Sequence, residues 1–372
     1  MLASLREVMQ VGPRVARASR ARALRVERVG WQLLGQHNIY FYHQLMREIR
    51  QSIFEDRFLD LYREKRAFLH ETDLENPVVA PKRGKVKMLF HLGDYDVHRA
   101  PEGFCSIRQI SSGEIMHSRT PPMEEAQRLY VEQSHLADRL HASDETDEPL
   151  VIWDVGLGAA TNAMAAIHCY EVQAAHGPVR PMRVVSFEND LDSLRLAFRH
   201  NREFVYLRHP GPSGILAEGA WHSGKHAGLS WMLVKGDFPA SIGDAPAPPD
   251  LIFFDMFSSN SAADQWTLAA FQKLFAACRG RAAELFTYTC STPIRAAMLV
   301  AGFHIARGRS IGEKHETTIA LTPEAAGGCR HELFTADWLG KWKRSSAKFP
   351  NGLPAEDFPE FERAILDHRQ FA

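Results

Sequence analysis

Four acidic side chains, each at or near the end of an apolar run, have the types and spacing that could do chemistry: Asp154, Glu188, Asp237 and Asp255. The first lies in Leu150-Val-Ile-Trp-Asp-Val-Gly-Leu-Gly-Ala-Ala-Thr-Asn162, where Gly156 and Gly158 follow it; the second closes Val184-Val-Ser-Phe-Glu188, about 30 residues further on. Glycine has no Cβ and tolerates positive φ, so such a turn lets the backbone approach a ligand closely at the end of a buried strand. An acid ending the next strand stands where a ribose diol would hydrogen-bond. Dinucleotide sites ask for G-x-G-x-x-G/A with a helix N-terminus facing a pyrophosphate. Here Gly158 is followed by Ala159, Ala160, Thr161 and Asn162, and an acid precedes the first glycine. That acid suits a cationic amino-acid ligand better than a diphosphate, so S-adenosyl-L-methionine is the expected cofactor.

The elements that must position these residues follow from the apolar runs. Trp231-Met-Leu-Val-Lys-Gly-Asp237, Asp250-Leu-Ile-Phe-Phe-Asp255, Ala283-Glu-Leu-Phe-Thr-Tyr288 and Thr317-Thr-Ile-Ala-Leu321 read as further buried strands. They alternate with segments of helical length such as Trp266 to Ala277 and Pro293 to Ala301. Near-continuous β-branched and aromatic runs separated in this way describe an α/β fold, a doubly wound, mostly parallel sheet covered on both faces. In open sheets of this class ligands bind at the carboxyl ends of the strands, so Asp154, Glu188, Asp237 and Asp255 are expected to converge on one crevice.

Ser112-Gly-Glu-Ile-Met-His-Ser118, Glu125-Ala-x-x-Leu-Tyr-Val131, the Gly156 turn with Asn162, Glu188, Gly236-Asp237, Asp255-Met-Phe-Ser258 with Trp266, and Phe286-Thr-Tyr-Thr289 followed by Ala301-Gly-Phe303 occur in that order along the chain. On these motifs, roughly residues 86 to 345 resemble the methyltransferase domain of the MnmC type, which finishes 5-methylaminomethyl-2-thiouridine at the wobble position of tRNA. The resemblance implies a Rossmann-like class I methyltransferase that binds S-adenosyl-L-methionine through Met116, Asp154, Gly156, Gly158, Asn162, Glu188, Asp237 and Asp255. Within that set Glu188 would hold the ribose hydroxyls and Asp237 would accept from the adenine amino group. Asp255 would also be the catalytic residue, beside the methyl-accepting amine, with Phe257, Ser258 and Trp266 facing the substrate. The segment Met116-His117-Ser118 would lie over the methionine part of the cofactor, with His117 a weaker candidate for a base. The partner implied is the anticodon loop of tRNA. Two departures stand out: Ala160 replaces the usual third glycine, and Ser259-Asn-Ser-Ala-Ala-Asp-Gln265 lacks the prolines and lysine common before the tryptophan.

A second resemblance covers about 45 residues near the start. Val26-Glu-Arg-Val-Gly-Trp-Gln-Leu-Leu-Gly-Gln-His37-Asn-Ile-Tyr-Phe-Tyr42, continuing to Arg57-Phe58, is similar to the C-terminal end of bacterial tRNA-guanine transglycosylase. In that family the matching histidine completes a zinc site with three cysteines just upstream, but no cysteine occurs here before Cys105. His37 is therefore an orphaned ligand, and no metal is expected. Phe41, Leu45, Ile49 and Ile53 recur every four residues and give one apolar helical face, which wants a partner surface. A docking helix, or the remnant of a split fusion gene, both fit that pattern.

Composition sets the outer bounds. A chain of 372 residues with 45% apolar content has room for a substantial core and a second unit. Five scattered cysteines without paired metal spacing fit a reducing cytoplasm, and no run is long and apolar enough for a signal peptide or a membrane span. The formal net charge of −1 does not announce a nucleic-acid binder. The tract Arg14, Arg17, Arg20, Arg22, Arg25 and Arg28 is nevertheless locally basic, suiting phosphate contact, a transit peptide or a solvated leader. Trp338 and Trp342, with Lys341, Lys343 and Arg344, mark a basic amphipathic helix whose tryptophans suit the core.

The expected organisation is a helical extension over 1–70, a proline- and charge-rich linker over 71–87, a small β-containing unit over 88–145, the methyltransferase domain over 146–345 and a C-terminal tail over 346–372. The expected activity is methyl transfer to the 5-aminomethyl group of the wobble uridine. The alternatives are a methyltransferase of the same fold on another amine or nucleobase, or a non-catalytic module docking onto a tRNA-guanine transglycosylase.

Overall fold

The computed structural model describes residues 28–69, 90–117, 120–141, 148–258, 261–310 and 316–372. The arginine tract from Arg14 to Arg25, the linker Glu71 to Lys87, Ser118, and Ser259 with Asn260 of the altered loop lie outside the described residues. The chain divides into two compact units, Met1–Val86 and Lys87–Ala372.

In the first unit, α1 (Arg28–Phe54) and α2 (Phe58–Leu69) form a pair of helices joined by a short turn. Of the apolar stripe, Phe41, Leu45 and Ile49 are half-buried, while Ile53 is exposed. Lys65 of α2 pairs with Glu48 of α1 at 2.9 Å, a half-exposed ion pair at the surface that contributes little by itself. His37 is exposed, and among the described residues no cluster of three or more His, Cys, Asp or Glu side chains is arranged to hold a metal ion.

The second unit opens with a three-stranded antiparallel sheet, β1 (His91–Leu92), β2 (Tyr95–Arg99) and β3 (Cys105–Gln109). The main sheet has eight strands: β4 (Leu150–Val155), β5 (Met182–Glu188), β6 (Ala220–His222), β7 (Leu229–Lys235), β8 (Leu251–Phe254), β9 (Glu284–Thr287), β10 (His304–Gly308) and β11 (Thr317–Leu321). Their order is β10-β11-β9-β8-β4-β5-β7-β6; β9, β8, β4, β5 and β7 are parallel, and β6, β11 and β10 pair antiparallel. The fold is therefore the expected Rossmann-like, doubly wound α/β sheet, with two short antiparallel edges.

Chain order reverses between β4 and β8, the switch point at which such sheets leave a crevice. Both faces of β4 are covered. Trp153 and Val155 pack into one apolar layer with Phe187, Phe254 and Trp266, and Ile152 packs into the other with Leu194, Phe253 and Ile319. Helix α3 (Thr161–His176) leaves the glycine turn directly after β4, which fixes the turn between a buried strand and a buried helix. Trp338 and Trp342 lie in the second layer on α4 (Ala336–Arg344), so they are core residues, while Lys341, Lys343 and Arg344 complement the helix C-terminus. No helix among the described residues is long and apolar enough to cross a membrane.

Candidate active site

The loops following β4, β5, β7 and β8 meet the small sheet around a cavity of about 520 Å³. Its wall includes Met116, Gly156, Gly158, Asn162, Glu188, Asp237, Asp255 and Phe257. Three of the four acids thus converge as the strand order requires, each from the end of a different parallel strand.

The glycine turn is shaped by close approach. Gly156 has φ +89, and a Cβ there would stand 2.7 Å from the Asp255 carbonyl oxygen, so no larger residue fits between the two loops. Gly158, at φ +50, faces the Met116 sulfur, which would lie 3.1 Å from an added Cβ. The backbone N–H groups of Gly156 and Leu157 donate to the Phe187 carbonyl, and Asp255 N–H donates to Val155. Ala160, where the resemblance leads one to expect glycine, is also left-handed, at φ 62. It is fully buried, and its strained backbone is held by the helix that follows.

Each acid has a distinct environment. Glu188 accepts from Gly158 N–H at 3.0 Å through Oε2 and from Asn189 and Asp190 N–H at 3.0 and 3.1 Å through Oε1. Burial raises its pKa, and these three donors oppose the rise. Asp237 Oδ1 accepts from Gln265 Nε2 at 2.6 Å. Asp255 Oδ2 accepts from Asn162 Nδ2 at 2.8 Å. Burial raises the Asp255 pKa as well, against the nearby His117 charge and the Asn162 hydrogen bond, and Tyr130 also interacts with it.

Asp154 departs from expectation. It is fully buried and lies beneath the cavity wall rather than on it. Its register partner on β5 is Ser186, whose hydroxyl donates to Asp154 Oδ2 at 2.7 Å and in turn accepts from Trp231 Nε1 at 2.8 Å. Burial pushes its pKa up to about 8 despite the Ser186 hydrogen bond. Trp266 is also structural: it is buried, and its indole N–H donates to the Phe257 carbonyl at 2.7 Å. Ser258 does not line the cavity but binds Glu114.

The side of the cavity near Asp255 holds residues that sequence reasoning did not single out. Glu114, Glu125 and Tyr288 line it with His117, while Gln265, likewise not singled out, lines the cavity at Asp237. His117 Nδ1 stands 3.5 Å from Glu125 Oε2, an ion-pair spacing. Burial disfavours the imidazolium, yet the Glu125 carboxylate and the Asp255 charge outweigh it, so the His117 pKa is raised. Glu114, Glu125 and Tyr288 sit inside segments that carried the resemblance, and their positions there were the available signal.

These residues fit S-adenosyl-L-methionine. Gly158 leaves room for close approach, Glu188 and Asp237 offer acceptors at the carboxyl ends of the neighbouring parallel strands β5 and β7, and among the described residues no lysine or arginine lines the cavity to repel a sulfonium.

Comparisons with known proteins agree. Residues 222–323 match the family model for an S-adenosyl-L-methionine-dependent methyltransferase, and residues 14–71 match the model for queuine tRNA-ribosyltransferase. The bifunctional tRNA 5-methylaminomethyl-2-thiouridine biosynthesis protein MnmC of Pseudomonas paraeruginosa is 27% identical over 229 residues, which cover 58% of this chain and 34% of that protein. The MnmC protein of Aeromonas hydrophila is 25% identical over 215 residues, covering 55% and 32%. The chain thus spans about a third of the length of these curated relatives. The crystal structure of MNMC2 from Aquifex aeolicus superposes with a TM-score of 0.51 at 18% identity, covering 74% of this chain and 86% of that one. This chain is an S-adenosyl-L-methionine-dependent methyltransferase with a Rossmann-like fold, similar to the MnmC type.

Proposed function

We propose that the enzyme methylates an aliphatic amine, the 5-aminomethyl group of a tRNA wobble uridine, giving 5-methylaminomethyl-2-thiouridine. The observation that carries this reading is the acidic character of the cavity beside Asp255. Glu114, Glu125 and Asp255 line it with Tyr288, and no lysine or arginine lines it among the described residues. Such a wall attracts a cationic amine and disfavours an anionic acceptor. The relatives named for 5-methylaminomethyl-2-thiouridine biosynthesis support the choice of tRNA.

Bound S-adenosyl-L-methionine would be held by Glu188 and Asp237 and would supply the electrophilic methyl group. Asp255, fixed by Asn162, orients the amine so that its lone pair is directed at that methyl group. Formation of the nitrogen–carbon bond would be matched by loss of the cofactor's carbon–sulfur bond, whose electron pair would stay on sulfur. Asp255 accepts the proton the amine must lose, either before attack or from the methylated ammonium, and the His117–Glu125 pair balances the resulting change of charge. Orientation supplies much of the rate, because the bound reactants need no further encounter. A base at the wobble position must leave the anticodon stack to reach such a recessed wall.

The test is transfer of labelled methyl from S-adenosyl-L-methionine to tRNA from cells that accumulate the 5-aminomethyl wobble uridine, followed by nucleoside analysis. Label is expected in 5-methylaminomethyl-2-thiouridine. Cofactor binding without label in that nucleoside would remove the tRNA reading and leave the methyltransferase intact.

A further inference from the structure

We infer that Gln265 is the positioning residue for adenine recognition: it fixes the Asp237 carboxylate so that the site accepts a 6-amino purine and rejects a 6-oxo one. The inference deepens the cofactor-site reading and rests on adenine lying at Asp237.

Gln265 belongs to the altered loop, and its placement is built rather than incidental. It occupies the short 3₁₀ turn Ala263–Trp266. The neighbouring Trp266 is 1% exposed, and its indole N–H is bonded to the Phe257 carbonyl, which anchors the turn against the cavity. Thr267 then caps the following helix by accepting from Ala270 N–H at 3.2 Å, so the turn is held at both ends. The Gln265 side chain itself is 4% exposed and lines the cavity.

The amide group divides its bonding unequally. Nε2 carries two hydrogens and directs them at two carboxylates, Asp237 Oδ1 at 2.6 Å and Asp264 Oδ2 at 3.0 Å. Oε1 is buried and has no partner among the described residues. A buried amide that leaves its acceptor unsatisfied while spending both donors on carboxylates is arranged for those donors. On the other side of the contact, Asp237 stands at the N-cap position of the turn Phe238–Ser241 but makes no side-chain cap hydrogen bond. Its carboxylate is therefore committed to Gln265 and the cavity.

With Oδ1 occupied, the second oxygen of Asp237 remains an acceptor with a fixed orientation. An exocyclic amino group on a purine donates to it; an oxo group in the same place sets one oxygen against another. A site built around a specific donor rejects the analogue lacking it strongly, because its buried polar group is then left unpaired. Without Gln265 the Asp237 side chain can turn away, and the penalty for the wrong purine falls.

Calorimetric binding of S-adenosylhomocysteine and of its deaminated 6-oxo counterpart tests this without any turnover. The wild-type protein is expected to prefer the 6-amino ligand, and Gln265→Met, of similar length and without donors, is expected to cut the preference about tenfold. Gln265→Glu keeps the volume but sets a third carboxylate against Asp237 and Asp264, and is expected to lower the preference at least as far. Equal weakening of both ligands in these variants would mean a merely structural role, and an unchanged preference would also overturn the inference. Asp237→Asn separates the two levels: if it retains the wild-type preference, adenine does not lie at Asp237, and the reading beneath the inference fails as well.

Discussion

The carboxylate of Glu114 accepts two hydrogen bonds from Ser258, one from the backbone N–H at 2.8 Å and one from the hydroxyl at 3.0 Å. Glu114 lies just after β3 of the small sheet, and Ser258 lies in the loop leaving β8, so this clamp joins two walls of the cavity across 144 residues of sequence. The Met116 N–H donates to the Ile107 carbonyl, which ties the same segment back to β3. The small sheet is thereby attached to the loop that carries Asp255 and Phe257.

Loss of the clamp should therefore loosen the acceptor side of the site before it affects the cofactor side. Two hydrogen bonds to a charged group are worth roughly 1.5–3 kcal/mol each when formed in a partly buried setting. Glu114→Ala is expected to lower kcat/KM for the methyl acceptor by about tenfold or more while S-adenosylhomocysteine affinity changes less than about threefold. Steady-state kinetics set beside calorimetry check the division, and a parallel loss in both quantities would contradict it.

Asp255 and Glu188 should fail in different ways. Glu188 touches the glycine turn through Gly158 N–H, whereas Asp255 faces Asn162, His117 and Tyr130. Asp255→Ala is expected to reduce turnover by about 10²–10⁴-fold with a small change in cofactor affinity, the range for a group that orients a reactant or moves its proton. Glu188→Ala is expected to raise the cofactor dissociation constant about tenfold or more and to leave saturated turnover closer to wild type. Equal, small effects from both variants would overturn the assignment.

Asp154 makes stability depend on pH in a direction opposite to that of a salt-bridged acid. Its pKa rises from the ordinary 3.8 to about 8 because the carboxyl is buried, the Ser186 donor only partly offsetting this. Between those two values the folded protein keeps a proton that the unfolded chain releases, so unfolding free energy falls as pH rises through that window, by up to about 1.4 kcal/mol per pH unit for one group. Asp154→Asn, which keeps the shape and removes the titration, is expected to flatten the dependence. Denaturant unfolding of both proteins between pH 5 and about 8 measures it; the same slope in wild type and variant would show that Asp154 is not its source.

Much of the fold was legible because buried parallel strands declare themselves as apolar runs. The expected Thr317–Leu321 strand is β11 residue for residue, the run before Asp255 is β8 with its ends trimmed, and the run before Asp237 is β7, which starts two residues earlier at Leu229 and ends at Lys235. The strands β6 and β10 were not legible: Ala220–His222 has three residues, and His304–Gly308 carries a histidine, an arginine and a glycine in a run of five. Counting from strand ends placed Asp154 with the other acids. It lies one residue inside β4, and the Ser186 hydroxyl across the ladder gives it a buried partner, which a linear pattern does not show. Glu114, Glu125 and Gln265 were hidden for a related reason, since their meaning comes from Ser258, His117 and Asp237, partners reached only through the fold.

His117 provides a probe of the acidic wall. Burial alone would hold its imidazole neutral, but Glu125 at 3.5 Å and the Asp255 charge raise its pKa above the ordinary 6.5. A histidine raised in the folded state contributes stability that is complete below 6.5 and is lost as pH climbs through the higher folded value. Glu125→Gln removes the nearer charge and leaves burial opposed mainly by Asp255, so the His117 midpoint should fall, and the stabilising proton should be lost at lower pH. A nuclear magnetic resonance titration of the His117 ring in both proteins reads this directly. Coincident midpoints would show that Glu125 does not hold the proton, and the acidic wall beside Asp255 would then act on a cationic amine without help from His117.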